Sequence, residues 1–178
     1  VDHLDTRDLV TDIREGGAMK CGIAVGEDVT EQDALDELDA CKGMSEHTEI
    51  GEQVSVDEHE HHEGDDGGVD ASVTLIDCGA KGSIVDSLNA RGADVDVLPY
   101  DATVEDVESY DTDVHFISNG PGDPANFEPT IELVDHYVGE VPLAGICLGQ
   151  QIVAEALGGT TAKMDFGHRG VNQPVMDT

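Results

Sequence analysis

Two short glycine-containing stretches carry residue types that could do covalent chemistry. The first is GICLG, Gly145 to Gly149, in which Cys147 follows an apolar run and precedes a helix-like segment. A cysteine flanked by glycines at this point fits a sharp strand-to-helix turn that exposes a nucleophile. Such a turn would lift the sulfur to the mouth of a sheet and set it at a helix N-terminus, which suits negative charge. It would also aim the backbone N–H of Leu148 at the place where an oxyanion forms. Taken alone, the same five residues equally describe a structural cysteine at a strand end. The second stretch is SNGPGDP, Ser118 to Pro124. Its glycines and prolines fix a rigid turn with exposed N–H groups, suited to an anion or a carbonyl oxygen, although an ordinary strand-to-helix turn uses similar residues.

Both stretches need a sheet to present them, and the periodicity predicts one. From Ala71 onward, strand and helix patterns alternate. Strands are expected at Val73–Ile76, Val95–Leu98, Val114–Ile117 and Val141–Ile146. Between and after them lie helical patterns: one with Ile84, Val85 and Leu88, stopping at Gly92; a short one capped by Thr103 and Asp106; one over Thr130–Val138; and one over Leu148–Leu157. Repeated strand–helix units imply an α/β fold, a parallel sheet flanked by helices, with ligands at the carboxyl ends of the strands. Cys147 and the Ser118 turn both fall at such ends. Upstream, residues 1–45 read as short helices, Asp5/Thr6 to Arg14 and Thr30 to Cys41, with a short strand at Cys21–Val25. Residues 46–70 are polar, and their stretch EHEHHEGDDGG has no apolar period, as expected of a solvated acidic linker. Domain boundaries are therefore expected at 1–45, 46–70 and 71–178.

The chain has 178 residues, with 40 acidic and 8 basic side chains and a formal charge of −32. That balance excludes ordinary binding to nucleic acid or an anionic membrane, both of which need positive charge facing phosphate. The carboxylates are spread along the chain and spare Val141–Ala154 until Glu155, so they imply an acidic surface on a folded protein, adapted to concentrated salt. At about 1 M salt the Debye length is roughly 3 Å, and surface carboxylates stop repelling one another. In dilute buffer they should push the fold apart. The expected result is a melting temperature that falls as KCl is withdrawn; one indifferent to KCl rejects salt adaptation. The four cysteines form no C-x-x-C pair, no apolar run reaches the roughly 20 residues of a membrane span, and no signal peptide is visible, so a cytoplasmic location is expected. The opening at Val1, without Met, leads us to expect a piece of a larger protein.

Taken together, SNGPGDP and GICLGQQ resemble the oxyanion loop and nucleophile elbow of class I glutamine amidotransferases. Three further stretches narrow the resemblance to the family of carbamoyl-phosphate synthase small subunits. IDCGAKGSIVDSL resembles the start of that family's amidotransferase domain, FGHRGVNQPV the segment after its nucleophile, and LDTRDLVTDIREGGAMKCGI the end of its N-terminal domain. The resemblance implies a flavodoxin-like amidotransferase domain, truncated, preceded by part of a smaller N-terminal domain. It implies that Cys147 attacks the amide carbon of glutamine, with Gly120, Gly122, Leu148 and Gln151 contacting the substrate and the N–H groups of Leu148 and Gly120 holding the oxyanion. It implies a partner, the synthetase large subunit, that takes up the ammonia and uses ATP, Mg and bicarbonate to make carbamoyl phosphate for arginine and pyrimidine synthesis. No cofactor is expected in this chain, and no phosphate-binding P-loop occurs in it.

Family members activate the nucleophile with a His and an acidic residue in an HPE-type motif well downstream, and none occurs through Thr178. The chain is therefore expected to be a fragment, or the product of a broken gene, and a poor glutaminase by itself. His168 follows the nucleophile but matches the family's GH-x-G segment rather than the catalytic His. His59, His61 and His62 could bind a metal ion, but nothing fixes a geometry, and no metal is expected. Two other readings stay open: an amidotransferase serving another pathway, and a non-catalytic module that docks to a synthetase.

Overall fold

The computed structural model describes residues 5–17, 19–43, 46–68 and 70–164, which divide into two compact units, one holding the described residues up to 43 together with 162–164 and the other those from 46 to 161. The first unit holds α1 (Thr6–Gly16) and α2 (Glu31–Ala40). Asp5 caps α1 by accepting the N–H groups of Arg7 and Asp8, and Thr30 with Asp33 forms a reciprocal capping box on α2. Neither helix buries a residue. The strand expected at Cys21–Val25 is absent: these residues have no ladder partner, and Ile23 and Val25 are 80% and 90% exposed. A short apolar run without a neighbouring strand has nothing to satisfy its backbone in a sheet.

The second unit contains, in order, α3 (Ile50–Val54), β1 (Glu60–His62), β2 (Ala71–Asp77), α4 (Gly82–Asn89), β3 (Ala93–Pro99), α5 (Val104–Val107), β4 (Val114–Ile117), α6 (Glu128–Tyr137), β5 (Leu143–Gly145) and α7 (Leu148–Ala156). The sheet order is β1-β3-β2-β4-β5, with β1 antiparallel and the remaining pairs parallel. Alternation along the strands sends side chains to two cores. Val73, Leu75, Val95 and Val97 pack with Val85, Ile84 and Leu88 of α4. Ile76, Leu98 and Ile117 pack on the other face with Leu133 and Val134 of α6 and Leu148 and Ile152 of α7. Helices therefore cover both faces of a largely parallel sheet, the architecture expected from the alternation of patterns.

Residues 46–70 are not the solvated linker expected from their composition. Ile50 is buried, α3 packs into the main core, and β1 extends the sheet by pairing with β3. Two interactions explain the difference. Ile50 and Val54, four residues apart, give one turn of helix a single apolar face. His61 stands opposite Asp96 in the ladder, and its Nδ1 lies 2.8 Å from that carboxylate, whose hydrogen bond is the main cause raising the His61 pKa above the ordinary histidine value. His59 Nε2 meets the same Asp96 oxygen at 2.8 Å, and its ring lies tilted against Tyr110, with centroids 4.6 Å apart. Polar composition concealed an edge strand held by histidine–carboxylate contacts.

The ion pairs among the described residues all join a histidine to a carboxylate. The carboxylate excess is therefore not neutralised by lysine or arginine pairing there, which leaves screening by solvent ions to limit repulsion.

Candidate functional site

In the order β3-β2-β4-β5 the chain runs outward from β2 in both directions, so the topological switch point lies between β2 and β4. The crevice at the carboxyl ends of these strands is where open α/β sheets bind ligands. The loops that line it are residues 78–81, after β2, and 118–122, after β4. Cys147 follows β5, the next strand over.

Cys147 is the helix-capping residue of α7 and is exposed. Its φ of 55° and ψ of −105° make it the one non-glycine residue with positive φ among those described. That conformation is strained for a residue with a Cβ and persists only where the surroundings impose it. Here two glycines impose it. A Cβ on Gly145 would lie 2.6 Å from the carbonyl carbon of Gly149, and one on Gly149 would lie 2.2 Å from the carbonyl oxygen of Ile117. The turn thus folds back on itself and lies against the end of β4, as close as backbone allows. The Ile146 N–H donates to the Ile117 carbonyl at 3.2 Å, and the Gly149 N–H to the Ile146 carbonyl at 3.0 Å, which tightens the turn further. Leu148 opens α7, so its own N–H has no acceptor within the helix.

The other expected site residues fall as follows. Gly120 and Gly122 are half-buried in the 118–122 loop, and Gly122 has φ of 96°. A Cβ on Gly120 would meet the Cys78 carbonyl oxygen at 1.9 Å and the buried Leu148 side chain at 2.8 Å, so this loop and the start of α7 are in contact. Gln151 is exposed one turn into α7, its N–H donating to the Cys147 carbonyl at 3.3 Å. The structure therefore brings the Gly120 loop, Leu148 and the Cys147 turn together at the carboxyl edge of the sheet. His168, together with FGHRGVNQPV, lies outside the described residues. His59, His61 and His62 are engaged with Asp96 and Glu60, and no group of three or more His, Cys, Asp or Glu suited to a metal occurs among the described residues.

Cys78, in the neighbouring loop, marks the contrast. It is fully buried, and desolvation pushes its thiol up to about 12, only partly countered by the contact with Thr130. Such a thiol stays protonated and unreactive.

Several supporting residues were not assigned from sequence. Asp77, buried at the end of β2, accepts the N–H groups of Val56 at 2.8 Å, Gly79 at 2.9 Å and Ala80 at 2.6 Å, fixing the 78–81 loop. Ile50 of α3 packs at Gly122 and Val54 at Gly79, so α3 braces both loops. The apolar pair Ile50/Val54 was the available signal for α3; for Asp77, a carboxylate at a strand end, sequence offered none.

The sequence model of the family Glutamine amidotransferase class-I matches residues 74–178. Among curated relatives, the chain is 62% identical over 177 residues to a carbamoyl phosphate synthase small chain of Halobacterium salinarum, covering 99% of this chain and 49% of the relative. It is 44% identical over 179 residues to a protein of that name from Methanopyrus kandleri, covering 98% and 48%, and 42% identical over 177 residues to one from Archaeoglobus fulgidus, covering 99% and 48%. The chain spans about half the length of the curated relatives it matches.

Proposed function

Because the chain belongs to the class-I glutamine amidotransferase family, we propose that it forms the nucleophile-bearing part of a glutamine-hydrolysing subunit that supplies ammonia for carbamoyl phosphate synthesis. The observation that carries this reading is the exposed, positive-φ Cys147 at the tip of a strand, beside the glycine loop of the switch-point crevice. The relatives named carbamoyl phosphate synthase small chain favour this pathway over the other amidotransferases and over a docking module.

In the proposed reaction the Cys147 sulfur adds to the side-chain amide carbon of glutamine. The N–H groups of Leu148 and Gly120 stabilise the tetrahedral oxyanion, and Gly122 and Gln151 contact the substrate. Collapse of the intermediate breaks the C–N bond; the nitrogen leaves as ammonia, and the glutamyl group remains on sulfur. Water then cleaves the thioester to give glutamate and the free thiol. The proton transfers fall to the downstream His and acidic residue that the family resemblance implies. No cofactor takes part in these steps. The partner that consumes the ammonia is a synthetase large subunit, to which ATP and Mg belong, and the setting is the cytoplasm.

Covalent capture tests this proposal. The full-length protein, mixed with glutamine and quenched in acid, is expected to carry a glutamyl group on the peptide containing Cys147. Its absence from that peptide, under conditions where glutamine is consumed, would remove Cys147 from the reaction.

A further inference from the structure

The loop that leads into Gly120 is held by two side chains to which the proposed reaction gives no role. Ser118 is fully buried at the end of β4. Its hydroxyl oxygen accepts the Cys78 N–H at 2.9 Å, and the hydroxyl donates to the Asn119 carbonyl at 2.7 Å. The first bond orients the second: a hydroxyl with a lone pair committed to an N–H has its single proton left for the carbonyl. The Asn119 side chain reaches across to the 78–81 loop with both ends of its amide. Oδ1 accepts the Lys81 N–H at 3.0 Å, and Nδ2 donates to the Gly79 carbonyl at 3.1 Å.

The Asn119 carbonyl and the Gly120 N–H belong to one planar peptide unit, and no peptide among the described residues is cis. In a trans unit the two groups point in opposite directions and can only turn together. A hydroxyl that holds the carbonyl therefore also holds the N–H. The loop beneath is itself rigid, since Asp77 ties down residues 79 and 80 and the Gly120 backbone rests against the Cys78 carbonyl.

We propose that Ser118 and Asn119 are positioning residues that aim the Gly120 N–H at the oxyanion, by clamping the peptide that joins residues 119 and 120. This rests on the reading of Gly120 as an oxyanion donor. Neither side chain needs to touch glutamine. Their effect is on a donor whose value comes from being in place before charge develops, so loss of the clamp slows the chemical step more than it weakens substrate binding.

The test is steady-state kinetics with glutamine on full-length Ser118→Ala and Asn119→Asp, beside alkylation of Cys147 by iodoacetamide. Ser118→Ala frees the carbonyl. Asn119→Asp keeps an acceptor for Lys81 but sets a carboxylate oxygen against the Gly79 carbonyl. We expect kcat to fall about 10- to 100-fold in Ser118→Ala and less in Asn119→Asp. KM should stay within about threefold in both, with alkylation at the wild-type rate. An unchanged kcat in both variants overturns the proposal, as does a loss of kcat accompanied by an equal loss of alkylation, which would mark a merely structural role. Should Ser118→Ala not fold, Asn119→Asp decides alone. The parent reading fails separately, if Cys147→Ala keeps its glutaminase activity, whatever these two variants do.

Discussion

Replacing Cys147 with alanine in the full-length protein is expected to lower glutamine-dependent carbamoyl phosphate formation by about 10³-fold or more. The ammonia-dependent reaction should stay within about twofold of wild type. The asymmetry follows from where the sulfur sits. It is exposed at the end of α7 and contributes no side-chain hydrogen bond to the cap, so its removal leaves no buried group unsatisfied. The fold should survive, and with it any docking to a synthetase, so ammonia added from solution bypasses the missing step. Cys78, which lies in the same compact unit, cannot take over, because it is fully buried with its thiol pushed up to about 12. Parallel assays with glutamine and with ammonium chloride decide the matter. An equal fall in both would mean that Cys147 supports the structure rather than the hydrolysis.

Gly149→Ala is expected to destabilise the 44–161 unit strongly. The added methyl would lie 2.2 Å from the Ile117 carbonyl oxygen, 2.7 Å from its carbon and 2.8 Å from the Ser118 oxygen. All three are backbone atoms of a central strand and its following loop, and they cannot swing aside as a side-chain tip can. Relief requires α7 to move off β4, which would open the core around Leu148 and Ile152. Overpacking typically costs about 1–3 kcal/mol, and a contact with fixed backbone belongs at or beyond the top of that range. For a unit of this size the melting temperature should drop by about 10 °C or more. Gly82→Ala is the control: a Cβ there meets nothing within 4 Å, and the position opens α4. Its melting temperature should hold or rise slightly, since alanine has the higher helix propensity. Thermal unfolding of both variants in the same concentrated salt provides the comparison, and equal stabilities would refute the close-packed turn.

The parts of this molecule that sequence made legible are those where local pattern and tertiary role coincide. Strands β2 and β4 are mostly apolar because both of their faces are covered, and the Thr103/Asp106 capping box formed as its spacing implied. Gly145 and Gly149 announced a tight turn, and close backbone contact is the reason for both. The misreadings occurred where the deciding partner lies far along the chain. Cys21–Val25 has strand-like residues but no strand beside it. At Val141–Ile146 the ladder shrinks to Leu143–Gly145: Pro142 has no N–H to give, though its carbonyl still accepts from His115. Segment 46–70 looked unstructured because its anchors, Asp96, Asp77 and Gly122, are 20 or more residues away in sequence. Ser118 and Asn119 were inside a recognised motif, but the partners their side chains grip, Cys78, Gly79 and Lys81, lie about 40 residues upstream.

Among the described residues, the outer strands of the sheet, β1 and β5, share one property that bears on pairing between molecules. Each is three residues long. Exposed strand edges invite pairing with another molecule, and proteins commonly deter it with charge. At 1 M salt that deterrent has a reach of only about 3 Å. Brevity does not depend on ionic strength: an edge of three residues offers too few hydrogen bonds to template aggregation, whatever the salt around it.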